Sequence, residues 1–145
     1  MIRVLLVENR PAIRLGLRMR LKLEAAVSIV GEPSDGLAAL AQTAVLRPDV
    51  ILLDIESTDM DAIRLIRAMQ TASPASAIVI LSLHDDSATR RRASHAGAAA
   101  FVSKHEGGDG LVHAIRKAAG GASAPTRALP AGGPVGGMTT GREGV

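Results

Sequence analysis

The chain has 145 residues, 47% of them hydrophobic, which is enough for one domain with an aliphatic core, since Phe101 is its sole aromatic residue. The absence of cysteine excludes disulfides and thiolate metal sites, and a net charge of +3 is too small to indicate nucleic-acid binding by itself. No apolar run approaches the ~20 residues that span a bilayer, and Glu8 ends the first run, so we expect a cytoplasmic protein without signal peptide or membrane span.

Five short apolar runs predict five β-strands, at residues 2–7, 27–32, 49–53, 77–81 and 98–102. Most of them lack the alternation of polar and apolar residues that a half-exposed strand shows. Continuous apolar runs are typical of strands buried on both faces, as in a parallel sheet. The third run ends directly at Asp54. We expect this carboxylate to emerge at the carboxyl end of the strand, because a charge is rarely left inside such a core.

Helical periodicity fills the segments between these strands. Pro11 suits the first turn of the first helix, and the later helices have capping candidates at Ser34 or Asp35, at Asp61, at Asp85, Asp86 or Ser87, and at Asp109. Helix ends are predicted at Arg47-Pro48, at Gly97 and at Gly120-Gly121. Five strand–helix alternations predict a parallel, doubly wound α/β sheet with helices on both faces. We assign residues 1–120 to this domain. Residues 121–145, rich in Gly, Pro and Ala, predict a flexible linker or tail.

Polar residues follow four of the five strands. Glu8 and Asn9 follow the first, Asp54 the third, Ser82 the fourth and Lys104 the fifth. In a parallel sheet these positions share one edge, where ligands bind. Carboxylate and carbonyl oxygens suit a hard cation such as Mg²⁺, whereas a hydroxyl and an ammonium suit a phosphoryl group. A chance set of strand-ending polar residues is the alternative, and the order of all four argues against it.

The sequence resembles the receiver domain of two-component response regulators, most closely that of the NarL/FixJ (LuxR-type) transcription regulators. The resemblance covers residues 2 to about 120. It is carried by VLLVENRP (4–11), GEPSDG (31–36), RPDVILLD (47–54), MD (60–61) and GAAAFVSK (97–104). The resemblance implies a flavodoxin-like sheet of strand order 2-1-3-4-5. It also implies a non-enzymatic signalling protein that controls transcription through an output domain.

The resemblance also implies a role for each matching residue. Asp54 matches the aspartate that accepts a phosphoryl group from the phosphohistidine of a sensor histidine kinase. Ser82 matches the Ser/Thr that hydrogen-bonds that group, and Lys104 matches the lysine that pairs with it. Ser82 and Phe101 match the residues that move on activation. The matching Mg²⁺ ligands are Glu8, Asn9, Asp54 and the backbone carbonyl of Glu56.

Several residues depart from the family pattern. The acidic pair is Glu8-Asn9, and losing one charge predicts weaker Mg²⁺ binding. Residues 57–62 lack the family's Pro and Gly, and Leu83 replaces a small residue. Two interpretations of the switch therefore remain: a phosphorylated receiver with a weakened metal site, or a pseudo-receiver that acts through protein binding alone.

Other functions have weaker support. A small flavin- or nucleotide-binding enzyme on the same fold lacks the glycine-rich or aromatic strand-end loops. The basic run Arg90-Arg91-Arg92 indicates a solvated face, although in receivers this helix belongs to the output and dimerisation surface, so a homodimer through helices four and five is a further prediction. The last seven residues faintly resemble the start of a LuxR-type DNA-binding domain, but the chain has no recognition helix. We therefore predict no DNA binding by these residues.

Overall fold

The computed structural model describes residues 1–56, 61–84 and 86–123, the last three by backbone alone. Strands and helices alternate strictly along them, as β1 (Ile2–Val7), α1 (Pro11–Lys22), β2 (Val27–Gly31), α2 (Gly36–Leu46), β3 (Val50–Asp54), α3 (Ala62–Ala72), β4 (Ala77–Ser82), α4 (Ser87–Ala96), β5 (Ala98–Ser103) and α5 (Gly107–Ser123). None of the described helices is long and apolar enough to cross a membrane. The altered loop at 57–60, the possible cap Asp85 and the tail from residue 124 lie outside the described residues.

All strand pairs of the sheet are parallel, in the order β2-β1-β3-β4-β5. This confirms the predicted flavodoxin-like fold. Strand β3 lies at the centre, and all its residues are buried, which is why its sequence is apolar until Asp54. Successive strands are added on one side of β1 up to β2 and on its other side from β3 onward, so the strand order reverses between β1 and β3. In open α/β sheets, ligands bind beside such a switch point.

Alternate residues of the central strand face two separate cores. Leu52 packs on the side covered by α1 and α5, in a cluster that includes Leu21 and Ile115. Leu53 packs on the side covered by α2, α3 and α4, in a cluster that includes Met69. Each fully buried side chain of this size stabilises the fold by roughly 1.5–3 kcal/mol. The two aliphatic cores therefore hold the central strand rigidly, and with it the position of Asp54.

Most helix limits follow the sequence prediction. The side chains of Asp35, Asp61 and Asp86 accept hydrogen bonds from backbone N–H groups in the first turns of α2, α3 and α4. Pro11 is the first residue of α1, where its missing N–H costs nothing. Gly97 follows α4 with a φ of 123°, a conformation that favours glycine.

Two predictions about the last helix were wrong. Asp109 does not cap α5: it lies within the first turn, where its carboxylate pairs with Arg20 at 2.7 Å. The pair Gly120-Gly121 does not end the helix, which extends to Ser123. Glycine inside a helix costs roughly 1 kcal/mol, but unlike proline it keeps the backbone N–H, so the helix can pass through it.

Candidate functional site

The carboxyl ends of β1, β3, β4 and β5 bring most of the predicted site residues together. Glu8, which follows β1, is completely buried, as is Ser82 at the end of β4. Asp54 ends β3, and Lys104 follows β5 directly. Backbone bonds fix the spacing of these ends, since the N–H of Lys104 donates to the carbonyl of Ser82 at 2.8 Å. The site is therefore built on the rigid sheet.

Asp54 is the centre of the cluster. Its Oδ2 lies 2.8 Å from Nζ of Lys104 and 3.1 Å from Nη2 of Arg10. Its Oδ1 accepts the backbone N–H of Glu56 at 3.1 Å. The carboxylate lies at the predicted end of the strand but is only 1% exposed, contrary to the expectation that it emerges. The two cations make this burial possible, because they compensate the charge that water would otherwise solvate.

One side of the cluster, the cation half, consists of Glu8, Asn9 and Arg10. The guanidinium of Arg10 bridges two carboxylates, with Nε 3.3 Å from Oε2 of Glu8 and Nη2 on Asp54. The backbone N–H of Arg10 also donates to Glu8 Oε2 at 2.9 Å. Asn9, the predicted metal ligand, is exposed. A positive side chain thus lies between the two carboxylates that were predicted to bind a cation.

The proximity of Glu8 and Asp54 changes the acidity of Asp54. Burial raises the pKa of Asp54, and a hydrogen bond with Glu8 raises it further, whereas Lys104 lowers it; the result is about 6. The same arrangement raises the pKa of Arg10, chiefly through its hydrogen bond to Glu8. Two buried carboxylates in contact repel each other when both are ionised. Any cation that binds between them relieves this repulsion.

The other side of the cluster, the anion half, consists of Glu56, Ser82, Leu83 and Lys104. The Ser82 hydroxyl donates to Glu56 Oε2, and the Leu83 N–H donates to Oε1 at 2.9 Å. Nζ of Lys104 lies 2.8 Å from the same Oε1. Burial opposes the ionisation of Glu56, but the hydrogen bonds from Lys104, Ser82 and Leu83 lower its pKa to about 2. The side chain of Glu56 is therefore a firmly held anion.

Phe101 lies apart from this cluster. It is half-buried on β5 beside α4, where it packs against the core that also contains Ala93. The guanidinium of Arg90 lies 4.8 Å from the centre of its ring, within the range of a cation–π interaction. Arg90, the first residue of the basic run, therefore covers an aromatic ring instead of being only a solvated charge.

The side chains of Arg10 and Glu56 belong to the site but were not among the predicted site residues. Each lies two residues after a strand-end carboxylate, Glu8 and Asp54 respectively. A charged residue at that spacing is the available signal. It is a weak one, because a loop residue turns toward the site or toward solvent according to its backbone and rotamer, neither of which a spacing specifies.

The residues present fit a magnesium ion only in part. Among the residues that the structure describes, no group of three or more His, Cys, Asp or Glu side chains is arranged for a metal. Mg²⁺ is often bound by one or two carboxylates and keeps several waters, so Glu8 and Asp54 are a sufficient charged core. Burial and the neighbouring Glu8 carboxylate raise the pKa of Asp54, and positive charge placed between the two carboxylates would lower it again. Arg10 supplies part of that charge here, and a metal has to compete with it.

Comparison with known proteins agrees with this geometry. Residues 4–116 match the response regulator receiver domain. The chain is 38% identical over 109 residues to a protein-glutamate methylesterase/protein-glutamine glutaminase of Cereibacter sphaeroides, covering 74% of this chain and 30% of that protein. It is 32% identical over 114 residues to the probable transcriptional regulatory protein NarL of Mycobacterium tuberculosis, covering 79% and 53%. The chain thus spans about half or less of these relatives.

Solved structures show the same fold. The signal receiver domain of the M. tuberculosis regulator NarL superposes with a TM-score of 0.77 at 32% identity, covering 83% of this chain and 97% of that one. A LuxR-family response regulator from Aurantimonas has a TM-score of 0.79 at 27% identity, covering 83% and 86%. The matched segment contains most of β1, all of the other four strands and all of the cluster around Asp54. The chain therefore belongs to the response regulator receiver domain family, with LuxR-type regulators among its relatives, as the sequence motifs predicted.

Proposed function

We propose that Asp54 accepts a phosphoryl group from the phosphohistidine of a sensor histidine kinase. A carboxylate oxygen of Asp54 attacks phosphorus, the phosphorus–nitrogen bond to the histidine breaks, and an aspartyl phosphate forms while the electron pair returns to the imidazole. The observation that carries the proposal is the position of Asp54 at the carboxyl end of the central strand, 2.8 Å from Lys104 and beside the Ser82 strand end.

The neighbouring donors have distinct roles in this proposal. The ammonium of Lys104 offsets the negative charge that develops on the transferred group, and the hydroxyl of Ser82 donates a hydrogen bond to it. Both groups come from strand ends; Lys104 already contacts Asp54 at 2.8 Å, whereas the Ser82 hydroxyl, which donates to Glu56, would have to turn toward the phosphoryl group. The pKa of Asp54, which burial and Glu8 raise to about 6, still leaves the nucleophile mostly ionised at neutral pH.

Magnesium belongs to the proposal as a weakly bound cofactor. Glu8, Asn9, Asp54 and the carbonyl of Glu56 would hold it, as the family resemblance implies. When bound, Mg²⁺ supplies positive charge to the phosphoryl oxygens. Two features support weak binding: Asn9 contributes no charge, and the Arg10 guanidinium already contacts both buried carboxylates.

The output of the proposed switch lies at helices α4 and α5. Ser82 and Phe101 would shift inward once Asp54 carries a phosphoryl group, and the surface of α4, β5 and α5 would change its preference for a partner, a second copy of the chain included. Because Arg90 covers the Phe101 ring, movement of the ring would also displace the charge of Arg90 on that surface. Control of transcription through a further domain, and the cytoplasmic setting, are proposals taken from the LuxR-type relatives.

A pseudo-receiver that acts by binding alone is the second candidate. The observation that favours it is the internal ion pairing, since Arg10 and Lys104 already compensate the charge of Asp54 without a metal or a phosphoryl group. In either case we propose a signalling domain and not an enzyme. The esterase relative is matched over only 30% of its own length, so its activity gives no reason to expect catalysis here.

Mass spectrometry separates the two candidates. The protein is incubated with acetyl phosphate and Mg²⁺, and a phosphoryl mass increment is expected in the wild type and in Asp49→Asn but not in Asp54→Asn. Asp49 is a matched control because it directly precedes the same strand, at the end opposite Asp54, and its side chain accepts the backbone N–H of Arg3 at 2.8 Å. No increment in the wild type at any Mg²⁺ concentration would favour the pseudo-receiver.

A further inference from the structure

The carboxylate of Glu56 is held by donors from two neighbouring strands. Glu56 itself follows β3, but the Ser82 hydroxyl and the Leu83 N–H come from the end of β4, and Lys104 follows β5. A hydroxyl, a backbone N–H and an ammonium form a donor set suited to an anion. Within the described cluster, Glu56 Oε1 and Oε2 are the oxygens on which all three donors converge.

Two of these three donors, Ser82 and Lys104, are those that the proposed function assigns to the phosphoryl group. We propose that Glu56 is an internal anion that occupies the phosphoryl-binding donors, so that a phosphate group enters only after the Glu56 side chain has turned away. The inference rests on the proposed function for the identity of the incoming group. It makes Glu56 a specificity-determining residue that competes with small phosphate anions.

Charge in the resting cluster favours this competition. Three carboxylates, on Glu8, Asp54 and Glu56, face two cations, on Arg10 and Lys104. An added phosphate would increase an existing excess of negative charge. When the Glu56 side chain leaves, two carboxylates face two cations, and the excess of negative charge is gone. The Ser82 hydroxyl and the Leu83 N–H also become available, so the same pocket then accepts an anion far more readily.

The backbone around Glu56 allows its side chain to leave alone. The N–H of Ile55 donates to the carbonyl of Leu81 at 3.0 Å, and the N–H of Glu56 donates to Asp54 at 3.1 Å. These bonds do not involve the Glu56 carboxylate, which is 19% exposed and therefore has a path to solvent. A side-chain rotation is sufficient to open the pocket, and it leaves the backbone carbonyl of Glu56 in its place.

A titration with inorganic phosphate tests the proposal in the full chain. The Leu83 amide signal is followed by NMR in Asp54→Asn and in Asp54→Asn/Glu56→Ala, so that no phosphoryl transfer is possible. We expect phosphate to bind at least tenfold more tightly in the double variant. Replacement of Glu56 by Gln in the same background should tighten binding by a smaller factor, because the amide oxygen still accepts from the donors but carries no charge.

The control is Asp54→Asn/Glu24→Ala, which removes the same charge at the opposite edge of the sheet, where Glu24 pairs with Arg20 and Arg116. Its phosphate affinity should equal that of Asp54→Asn. Equal affinity in all the variants would overturn the proposal. Tighter binding upon loss of Glu56, together with no mass increment in the wild type or in Glu56→Ala, would retain the internal anion and discard phosphoryl transfer, so the two proposals fail independently.

Discussion

The two halves of the site are filled by internal charges in different ways. In the cation half, the Arg10 side chain is 43% exposed and reaches Glu8 and Asp54 from the loop before α1. In the anion half, Glu56 is 19% exposed and is held by three donors from two strands. An exposed ion pair contributes little because solvent screens it, whereas a less exposed one with several hydrogen bonds contributes more. We therefore expect the cation half to open to a ligand more easily than the anion half.

Lys104 joins the two halves, and its loss should have the largest effect. Lys104→Ala leaves Asp54 and Glu56 without their shared ammonium, and removal of one such group from a reaction centre costs about 100-fold or more in rate. We expect phosphorylation by acetyl phosphate to slow by that factor, as measured by the growth of the mass increment. Lys117→Ala, on the exposed face of α5, should keep the wild-type rate; a similar rate in both variants would remove Lys104 from the site.

The raised pKa of Asp54 predicts a dependence of stability on pH. Burial and Glu8 raise this pKa from 3.8 to about 6, so between these values the folded chain binds more protons than the unfolded chain. Its free energy of unfolding should therefore fall as pH rises from about 4 to about 6. In metal-free buffer at pH 7, Asp54→Asn should be more stable than the wild type by roughly 2–3 kcal/mol, since one pKa unit corresponds to about 1.4 kcal/mol.

Denaturant unfolding across the pH range measures this difference. Both proteins retain Glu56. Burial opposes the ionisation of this side chain, but Lys104, Ser82 and Leu83 lower its pKa to about 2. Its contribution to the pH dependence is therefore common to both proteins and cancels in the comparison. The two stability curves should converge only below about pH 4, where Asp54 is protonated in the unfolded chain as well. Parallel curves from pH 4 to pH 7 would show that Asp54 is not destabilised by its burial beside Glu8.

Removal of Arg10 tests whether the cation half is filled by its guanidinium. Arg10→Ala frees Glu8 Oε2 and Asp54 Oδ2 from a competing cation, and we expect Mg²⁺ to bind about tenfold more tightly, the equivalent of about 1.4 kcal/mol. Calorimetric titration with Mg²⁺ gives the affinity. Arg18→Ala, which removes an arginine paired with Glu32, is the matched control and should leave it unchanged. Weaker binding in Arg10→Ala would contradict the competition.

A smaller change is expected when the missing acidic residue is restored. Asn9→Asp adds one carboxylate beside Glu8 at an exposed position, and we expect Mg²⁺ affinity to rise about threefold, because ligand charge strengthens the binding of hard cations but solvent screens an exposed charge. Asn9→Ala should instead weaken binding slightly. If the affinity is the same in all three proteins, Asn9 lies outside the metal site.

The fold was predictable because local patterns and the tertiary structure agree. The apolar run before Asp54 predicted a strand buried on both faces, and β3 is buried at every position. Aspartates before the helices predicted caps, and Asp35, Asp61 and Asp86 accept the expected hydrogen bonds. The end of α5 was not predictable in this way, because glycine lowers helix stability without forbidding the helix.

The sequence by itself determined the succession of strands and helices along the chain and the polar residues that follow the strands, since both follow from patterns only a few residues long. The order of the strands in the sheet was implied only by the family resemblance. Tertiary structure alone decided which side chains fill the site. Arg10 and Glu56 lie in loops, and their partners in the site are distant in the sequence: Arg10 pairs with Asp54, 44 residues away, and Glu56 accepts a hydrogen bond from Ser82, 26 residues away. Such pairings depend on three strands being brought side by side, which no local spacing encodes.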